Sequence, residues 1–227
     1  MYVTIPTDHY APSYHFKPRV SRGKSTEVSF KAGAYLYFEG DAVERLYEVK
    51  SGVLRLTRLL EDGRRQVISF GYPGDIVGFP ASGLHHTDCD VLVDARLQPY
   101  SRAALESGAN DPQLHQDLLE AALREISAMQ DHFLMLGRKS AAEKVASFLS
   151  VLAERVGDDM GNYRKISLPM SRADIADFLG LTTETVSRSL TQLRKAKVIA
   201  IENIHTVIIL RPQALLALSD GHQDMVA

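Results

Sequence analysis

The chain has 227 residues, of which 45% are hydrophobic and 24% are charged, and its formal net charge is −2. This composition excludes a disordered or fibrous protein, and the length suits two modest domains. No apolar run approaches the roughly 20 residues that span a bilayer, and the N-terminus lacks signal-peptide features, so we predict a cytoplasmic protein without membrane contact. The single cysteine, Cys89, excludes a disulfide framework and cannot alone hold an iron–sulfur cluster or a structural zinc.

Charge is distributed unevenly along the chain. Residues 138–211 hold twelve Lys/Arg and eight Asp/Glu, a net +4, whereas the remainder holds fourteen and twenty, a net −6. A cationic C-terminal module on an anionic body suits contact with phosphates at one end of the protein.

The first part of the chain has the pattern of short strands. Residues 1–24 contain three prolines and show no period, so they are predicted as an N-terminal tail. Residues 25–109 alternate segments rich in β-branched and aromatic side chains with turn residues, which predicts an all-β barrel or sandwich. The expected strands are 26–30, 34–38, 46–49, 53–59, 65–70 and 91–93, with turns at Gly33, Gly40-Asp41, Ser51-Gly52, Asp62-Gly63 and Pro73-Gly74-Asp75.

A long helix is predicted at residues 110–137. Asn110 or Asp111 can cap its first amides, and Pro112 suits the first helical position. Apolar residues then recur at spacings of three and four, a heptad seam formed by Leu119, Ala122, Ile126, Met129, Phe133 and Leu136. This stripe either packs on the chain's own core or contacts the same helix of a second subunit in a homodimer. Gly137 ends the seam and is predicted to act as a hinge.

Residues 138–220 are predicted to form a winged helix-turn-helix. Ser171 can cap one helix, Gly180 can end it in the left-handed conformation, and Thr182 can cap the next. Residues 198–210 have the pattern of a two-stranded wing. In such a module the second helix enters the major groove of DNA, so the early residues of that helix are the candidates for base contacts.

The side chains of this second helix have suitable chemistry. Arg188 can donate two hydrogen bonds to guanine, and Glu184 can accept one from cytosine. The competing interpretation is that these two residues, four apart, form an ordinary surface ion pair. The predicted DNA-binding residues are Ser171, Arg172, Thr182, Thr183, Glu184, Thr185, Ser187 and Arg188.

On these motifs the chain resembles the CRP/FNR superfamily of bacterial regulators over residues 25–215, and its recognition helix is most similar to the FNR and FixK branch. The motifs are Phe38-Glu39-Gly40-Asp41, 47–53, Asp62-Gly63-Arg64, 73–78, Asp174-Ile175-Ala176, 179–182 and 184–188. The resemblance implies an α+β fold: an antiparallel β-roll of the cyclic-nucleotide-binding type, a dimerisation helix and a winged helix-turn-helix. It also implies an activator of microaerobic, denitrification or nitrogen-fixation genes that binds double-stranded DNA with TTGAT half-sites and recruits RNA polymerase.

The departures from that family concern its sensors. Nucleotide-binding members have a Gly-Glu-Leu segment and an Arg-Ser pair, where this chain has Gly78-Phe79-Pro80 and His85-His86-Thr87-Asp88, so the phosphate would meet no arginine. Residues 1–24 lack the cysteine cluster of oxygen-sensing members. We therefore predict no cofactor, with control by a small molecule or haem as the alternative.

No nucleophile, base and orienting group form a recognisable set, so we predict no catalytic residues and no enzymatic activity.

The segment from His85 to Asp90 also contains potential metal ligands. Adjacent residues of a strand point to opposite faces, so His85 and His86 would not converge on one ion, and we predict no metal site. Cys89 is expected to be a buried free thiol, and a redox switch is the alternative.

Overall fold

The computed structural model describes residues 26–80, 82–107 and 111–222. The predicted tail at 1–24 lies outside these ranges, as does Asn110. The chain divides into two compact units, and the division along the sequence falls between residues 128 and 129.

The first unit contains an antiparallel sheet whose strands follow one another with short connections. The strands pair in the order β1-β6-β3-β4, with β2 added to β6 and β5 added to β3. Tyr37, Val49, Leu54, Val91 and Leu97 belong to its buried core. The strands are β1 (Val28–Phe30), β2 (Tyr35–Tyr37), β3 (Arg45–Leu59), β4 (Arg65–Gly71), β5 (Ile76–Val77) and β6 (Asp88–Ser101). The predicted antiparallel β-roll is confirmed.

The predicted turn at Ser51-Gly52 is wrong, because β3 runs through it as one strand of 15 residues. The pairing of β3 with β6 shifts register on either side of Ser51, which is the geometry of a bulge. Gly52 has φ +90°, and a Cβ there would lie 2.5 Å from the carbonyl oxygen of Asp94. Glycine is therefore required by a close approach between two strands.

The helical region begins with α1 (Arg102–Glu106) and the long α2 (Pro112–Arg138). The Asp111 carboxylate accepts a hydrogen bond from the Leu114 amide at 2.9 Å, so it caps α2 as predicted. Gly137 is not the hinge that the sequence predicts, because it lies inside α2, which continues to Arg138. The break falls at Lys139 and Ser140, where a capping box between Ser140 and Glu143 starts α3 (Ala141–Val156).

The second unit combines helices with a four-stranded antiparallel sheet in the order β7-β8-β10-β9. Its further elements are β7 (Asp158–Met160), β8 (Tyr163–Ser167), α4 (Arg172–Leu179), α5 (Thr183–Lys195), β9 (Ile199–Asn203), β10 (Thr206–Ile209) and α6 (Pro212–Ser219). The predicted wing corresponds to β9 and β10. The sequence prediction missed β7 and β8, because β7 is short, acidic and exposed at every residue and so lacks an alternating pattern.

Candidate nucleic-acid interface

Three local devices define the two helices of the helix-turn-helix. The Ser171 side chain and Asp174 form a capping box at the start of α4. Gly180 ends α4 with φ 61°, and its amide donates to the carbonyl oxygen of Ala176. Thr182 then caps α5 by accepting from the Thr185 amide at 3.2 Å. Each device appears in the sequence at its expected position, because caps depend on near neighbours in the chain.

The recognition helix α5 has one buried and one exposed face. Val186, Leu190 and Leu193 are buried and hold the helix against its own unit. The opposite face contains four of the predicted base-contacting residues, and all four are exposed: Thr183, Glu184, Ser187 and Arg188. The helix therefore presents a continuous polar surface at its N-terminal half.

The hydrogen bonds on this surface distinguish the exposed side chains from one another. The Ser187 hydroxyl donates to the Thr183 carbonyl at 2.8 Å, so it can offer only an acceptor to a base or phosphate. The hydroxyls of Thr182 and Thr185 bond to each other at 2.8 Å. These three hydroxyl groups are thus held in fixed orientations within the helix.

Glu184 and Arg188 are close enough for the competing ion-pair interpretation. The distance from Arg188 Nη2 to Glu184 Oε1 is 3.6 Å, and the side chains are 67% and 76% exposed. A pair this exposed contributes at most a few tenths of a kcal/mol. Both groups can therefore exchange this contact for partners on DNA at little energetic cost.

Ser171 and Arg172, the two predicted DNA-binding residues at the start of α4, have side chains that are partly engaged within the protein. The Ser171 hydroxyl donates to Asp174 Oδ2 at 2.8 Å, so its proton is used within the cap. Arg172 is partly buried, and burial lowers the pKa of its guanidinium from the ordinary value. Within the described part of the chain, its Nη1 is buried without a hydrogen-bond partner. Only part of the Arg172 side chain is left to meet a phosphate.

Helix α2 exposes an unusual amount of apolar surface. Leu119, Ile126, Met129 and Phe133 are 43%, 52%, 47% and 76% exposed. These four residues therefore do not pack on the core of their own chain, which was one of the two interpretations of the stripe. Ala122 and Leu136 are half-buried. Leu123 and Leu134, which the seam prediction omitted, are also exposed and widen the apolar surface.

Gly78 and His85 lie in the two β-roll segments that depart from the nucleotide-binding pattern, and these segments contact each other. The His85 ring is buried and stacks on Tyr37 with ring centroids 3.6 Å apart. A Cβ on Gly78 would lie 3.4 Å from His85 Cε1, so the two segments are in contact. Burial lowers the pKa of His85 and so disfavours the cationic form of its imidazole. A buried ring in this closed contact does not supply the bidentate cationic donor that suits a ribose phosphate.

The Arg55 guanidinium and the carboxylates of Asp88 and Asp90 already have hydrogen-bond partners within the β-roll. Arg55 forms two hydrogen bonds with the Asp90 carboxylate, at 3.0 and 2.9 Å. Asp88 accepts from the Glu39 amide at 2.8 Å. We therefore derive no role for a cyclic nucleotide. No group of three potential metal ligands occurs among the residues that the structure describes.

Cys89 is fully buried in β6, and burial raises the pKa of its thiol to about 12. A thiol in this state reacts slowly because the thiolate is the nucleophile. We expect a maleimide reagent to leave Cys89 unmodified in the native protein and to label it completely in guanidinium chloride, as measured by intact mass. Rapid native labelling, or an oxidant-dependent loss of DNA binding that a Cys89→Ser variant lacks, would instead establish the redox switch.

Together the β-roll, the long helix with its exposed apolar stripe and the helix-turn-helix with its polar face define a DNA-binding transcription regulator. Residues 27–106 match the sequence profile of the cyclic nucleotide-binding domain, and residues 143–218 match that of the Crp-like helix-turn-helix domain. In the described ranges, no helix has the length and apolar character needed to cross a membrane.

Known regulators cover most of the chain. The nitrogen fixation regulation protein FixK of Rhizobium meliloti is 38% identical over 90% of this chain and 92% of its own length. FixK of Bradyrhizobium diazoefficiens is 43% identical over 77% of this chain and 74% of its own length. The solved structure of FixK2 from Bradyrhizobium japonicum superposes with a TM-score of 0.78 at 36% identity, covering 86% of this chain and 96% of that one. The chain belongs to the CRP/FNR family of transcription regulators and is not an enzyme.

Proposed function

We propose that the chain is a homodimeric transcription activator that binds an inverted repeat with TTGAT half-sites and recruits RNA polymerase. The observation that supports this most directly is the exposed face of α5, on which Glu184, Ser187 and Arg188 lie side by side. In this arrangement Arg188 reads the guanine of the half-site and Glu184 its paired cytosine.

Dimerisation is supported by the exposed apolar stripe of α2. A surface of this kind on a monomer marks a contact with another protein, and its heptad spacing favours the same helix of a second copy. Two-fold symmetry would present two recognition helices about 34 Å apart to successive major grooves. A symmetric protein then requires a nearly symmetric DNA site.

The target genes follow from the similarity to FixK proteins, whose names assign them to the regulation of nitrogen fixation. We infer that this regulator acts on genes of microaerobic or anaerobic respiration, denitrification or nitrogen fixation. Since the β-roll residues do not fit a nucleotide, we further propose that its activity follows its amount in the cell. The alternative, an effector or haem bound in the β-roll, predicts a visible absorbance band or an extra mass in the purified protein.

Selection of binding sites from random DNA tests the proposal as a whole. We expect recovery of an inverted repeat in which the guanine of each half-site is invariant. Recovery of single, unpaired half-sites would contradict the dimer, and enrichment of no sequence would contradict base reading by α5. A transcription assay with purified RNA polymerase on the selected site then tests activation.

A further inference from the structure

The last turns of α2 carry a second face, which shares only Leu136 with the predicted apolar stripe and which packs within the second unit. His132, Met135, Leu136 and Lys139 recur at helical spacing, and the first three lie within residues 129–138 of the second unit. Met135 is fully buried. Leu136 Cδ2 lies 3.9 Å from the position of a Cβ on Gly180, the residue that turns between α4 and α5. This end of α2 is therefore packed next to the DNA-reading helices.

His132 provides one attachment. Its ring is buried and stacks on Phe178 of α4 with centroids 4.4 Å apart. Burial lowers the pKa of His132 to about 4, so the ring is neutral at physiological pH and packs as an aromatic group. The contact joins α2 directly to the first helix of the helix-turn-helix.

Lys139 provides the other attachment, at the break between α2 and α3. Its Nζ donates to Ser147 Oγ of α3 at 2.9 Å and to the Ser219 carbonyl oxygen of α6 at 2.6 Å. Its own amide donates to the Met135 carbonyl at 3.1 Å and so closes the last turn of α2. Ser147 and Ser219 are both buried. Lys139 is the single residue between the end of α2 and the cap of α3, and its side chain connects this point to the middle of α3 and to the end of α6.

We propose that Lys139 is a positioning residue that fixes the direction of α2 relative to the recognition helix and thereby sets the spacing of half-sites the dimer accepts. This inference rests on the proposed dimer and its inverted repeat. In a dimer, the orientation of each reading unit on its α2 determines where the two recognition helices lie. A rigid connection favours one spacing, whereas a loose one spreads the population over several and lowers affinity for the best site.

The inference can be tested by varying the number of base pairs between the two half-sites. Adding one base pair rotates the second half-site by about 34° and moves it by about 3.4 Å. We compare the dissociation constants of the wild type, Lys139→Met and Lys139→Arg on duplexes with the optimal spacer, with one base pair more or fewer, and with a single half-site. Arg138→Met is the matched control, because it removes one exposed positive charge from the neighbouring position.

For the wild type we expect a loss on the order of tenfold when the spacer changes by one base pair. For Lys139→Met we expect affinity for the optimal site to fall about fivefold and the spacer penalty to shrink to about threefold or less, with single half-site binding unchanged. Lys139→Arg, which keeps a donor, should retain most of the wild-type preference, and Arg138→Met should retain all of it.

The outcomes separate this inference from the proposed function. Equal weakening of Lys139→Met on every duplex, including the single half-site, would make Lys139 a residue of general stability or phosphate contact and overturn the inference. An unchanged spacer profile would overturn it too, even with full binding to the inverted repeat. Failure of the wild type to prefer two half-sites over one would instead contradict the proposed dimer. Thermal melting of each variant identifies any loss of folded protein.

Discussion

A Phe133→Asp variant is expected to be monomeric and to lose on the order of 10²- to 10⁴-fold in affinity for the inverted repeat. Phe133 is 76% exposed in the single chain, so aspartate at this position is fully compatible with the folded monomer. In the proposed dimer the same carboxylate would be buried between two apolar helices without a partner, which is strongly unfavourable. Sedimentation velocity gives the oligomeric state, and a gel-shift titration gives the affinity.

Arg124→Ala is the control for the introduced charge. It changes the net charge by the same single unit, and at nine residues' separation it lies on the opposite side of α2 from Phe133. Its contact with Glu120 spans 3.8 Å at the surface and contributes little. Arg124→Ala should remain dimeric and bind normally. A Phe133→Asp protein that is still dimeric, with unchanged melting temperature, would mean that subunits associate through another surface.

The parts of the structure that the sequence predicts best are those decided by near neighbours. Ser171, Gly180 and Thr182 specify the ends of α4 and α5, because a cap or a left-handed residue acts within one turn of its own position. The turn at Asp62-Gly63 is similarly local, and Gly63 has φ +83° between paired strands. Periodicity likewise predicts the apolar stripe of α2.

The parts that the sequence does not predict depend on distant partners. Gly52 resembles a turn residue in sequence, but the backbone of β6 some forty residues away makes it a bulge. The bond from Lys139 to Ser219 joins residues 80 positions apart, and no local pattern distinguishes this lysine from Arg138 beside it. Leu123 and Leu134 fall outside the predicted seam because a heptad pattern selects a narrower stripe than the apolar surface that is exposed on α2.

Replacing Arg188 with alanine is expected to cost about 1–3 kcal/mol of binding free energy at the cognate site and to relax the choice at one base pair only. The Arg188 side chain is 67% exposed on α5, and its contact with Glu184 at 3.6 Å is weak, so the free protein loses little stability. On DNA the loss is larger because the guanine acceptors are left without their bidentate donor. Titrations on the consensus duplex and on duplexes carrying each alternative base pair at that position measure the effect.

The comparison with Arg194→Ala separates base reading from simple attraction to phosphates. Arg194 is also exposed and lies in the last turn of α5, away from the N-terminal half that is proposed to enter the groove. Its loss should leave the base preference unchanged, with at most a uniform weakening that diminishes as salt is raised. For Arg188→Ala the ratio between cognate and substituted sites should instead fall towards one at a single position while selectivity at the other positions persists. Uniform weakening by Arg188→Ala across all duplexes would assign Arg188 to the phosphate backbone, and the reading of guanine would then have to come from another side chain of the same exposed face.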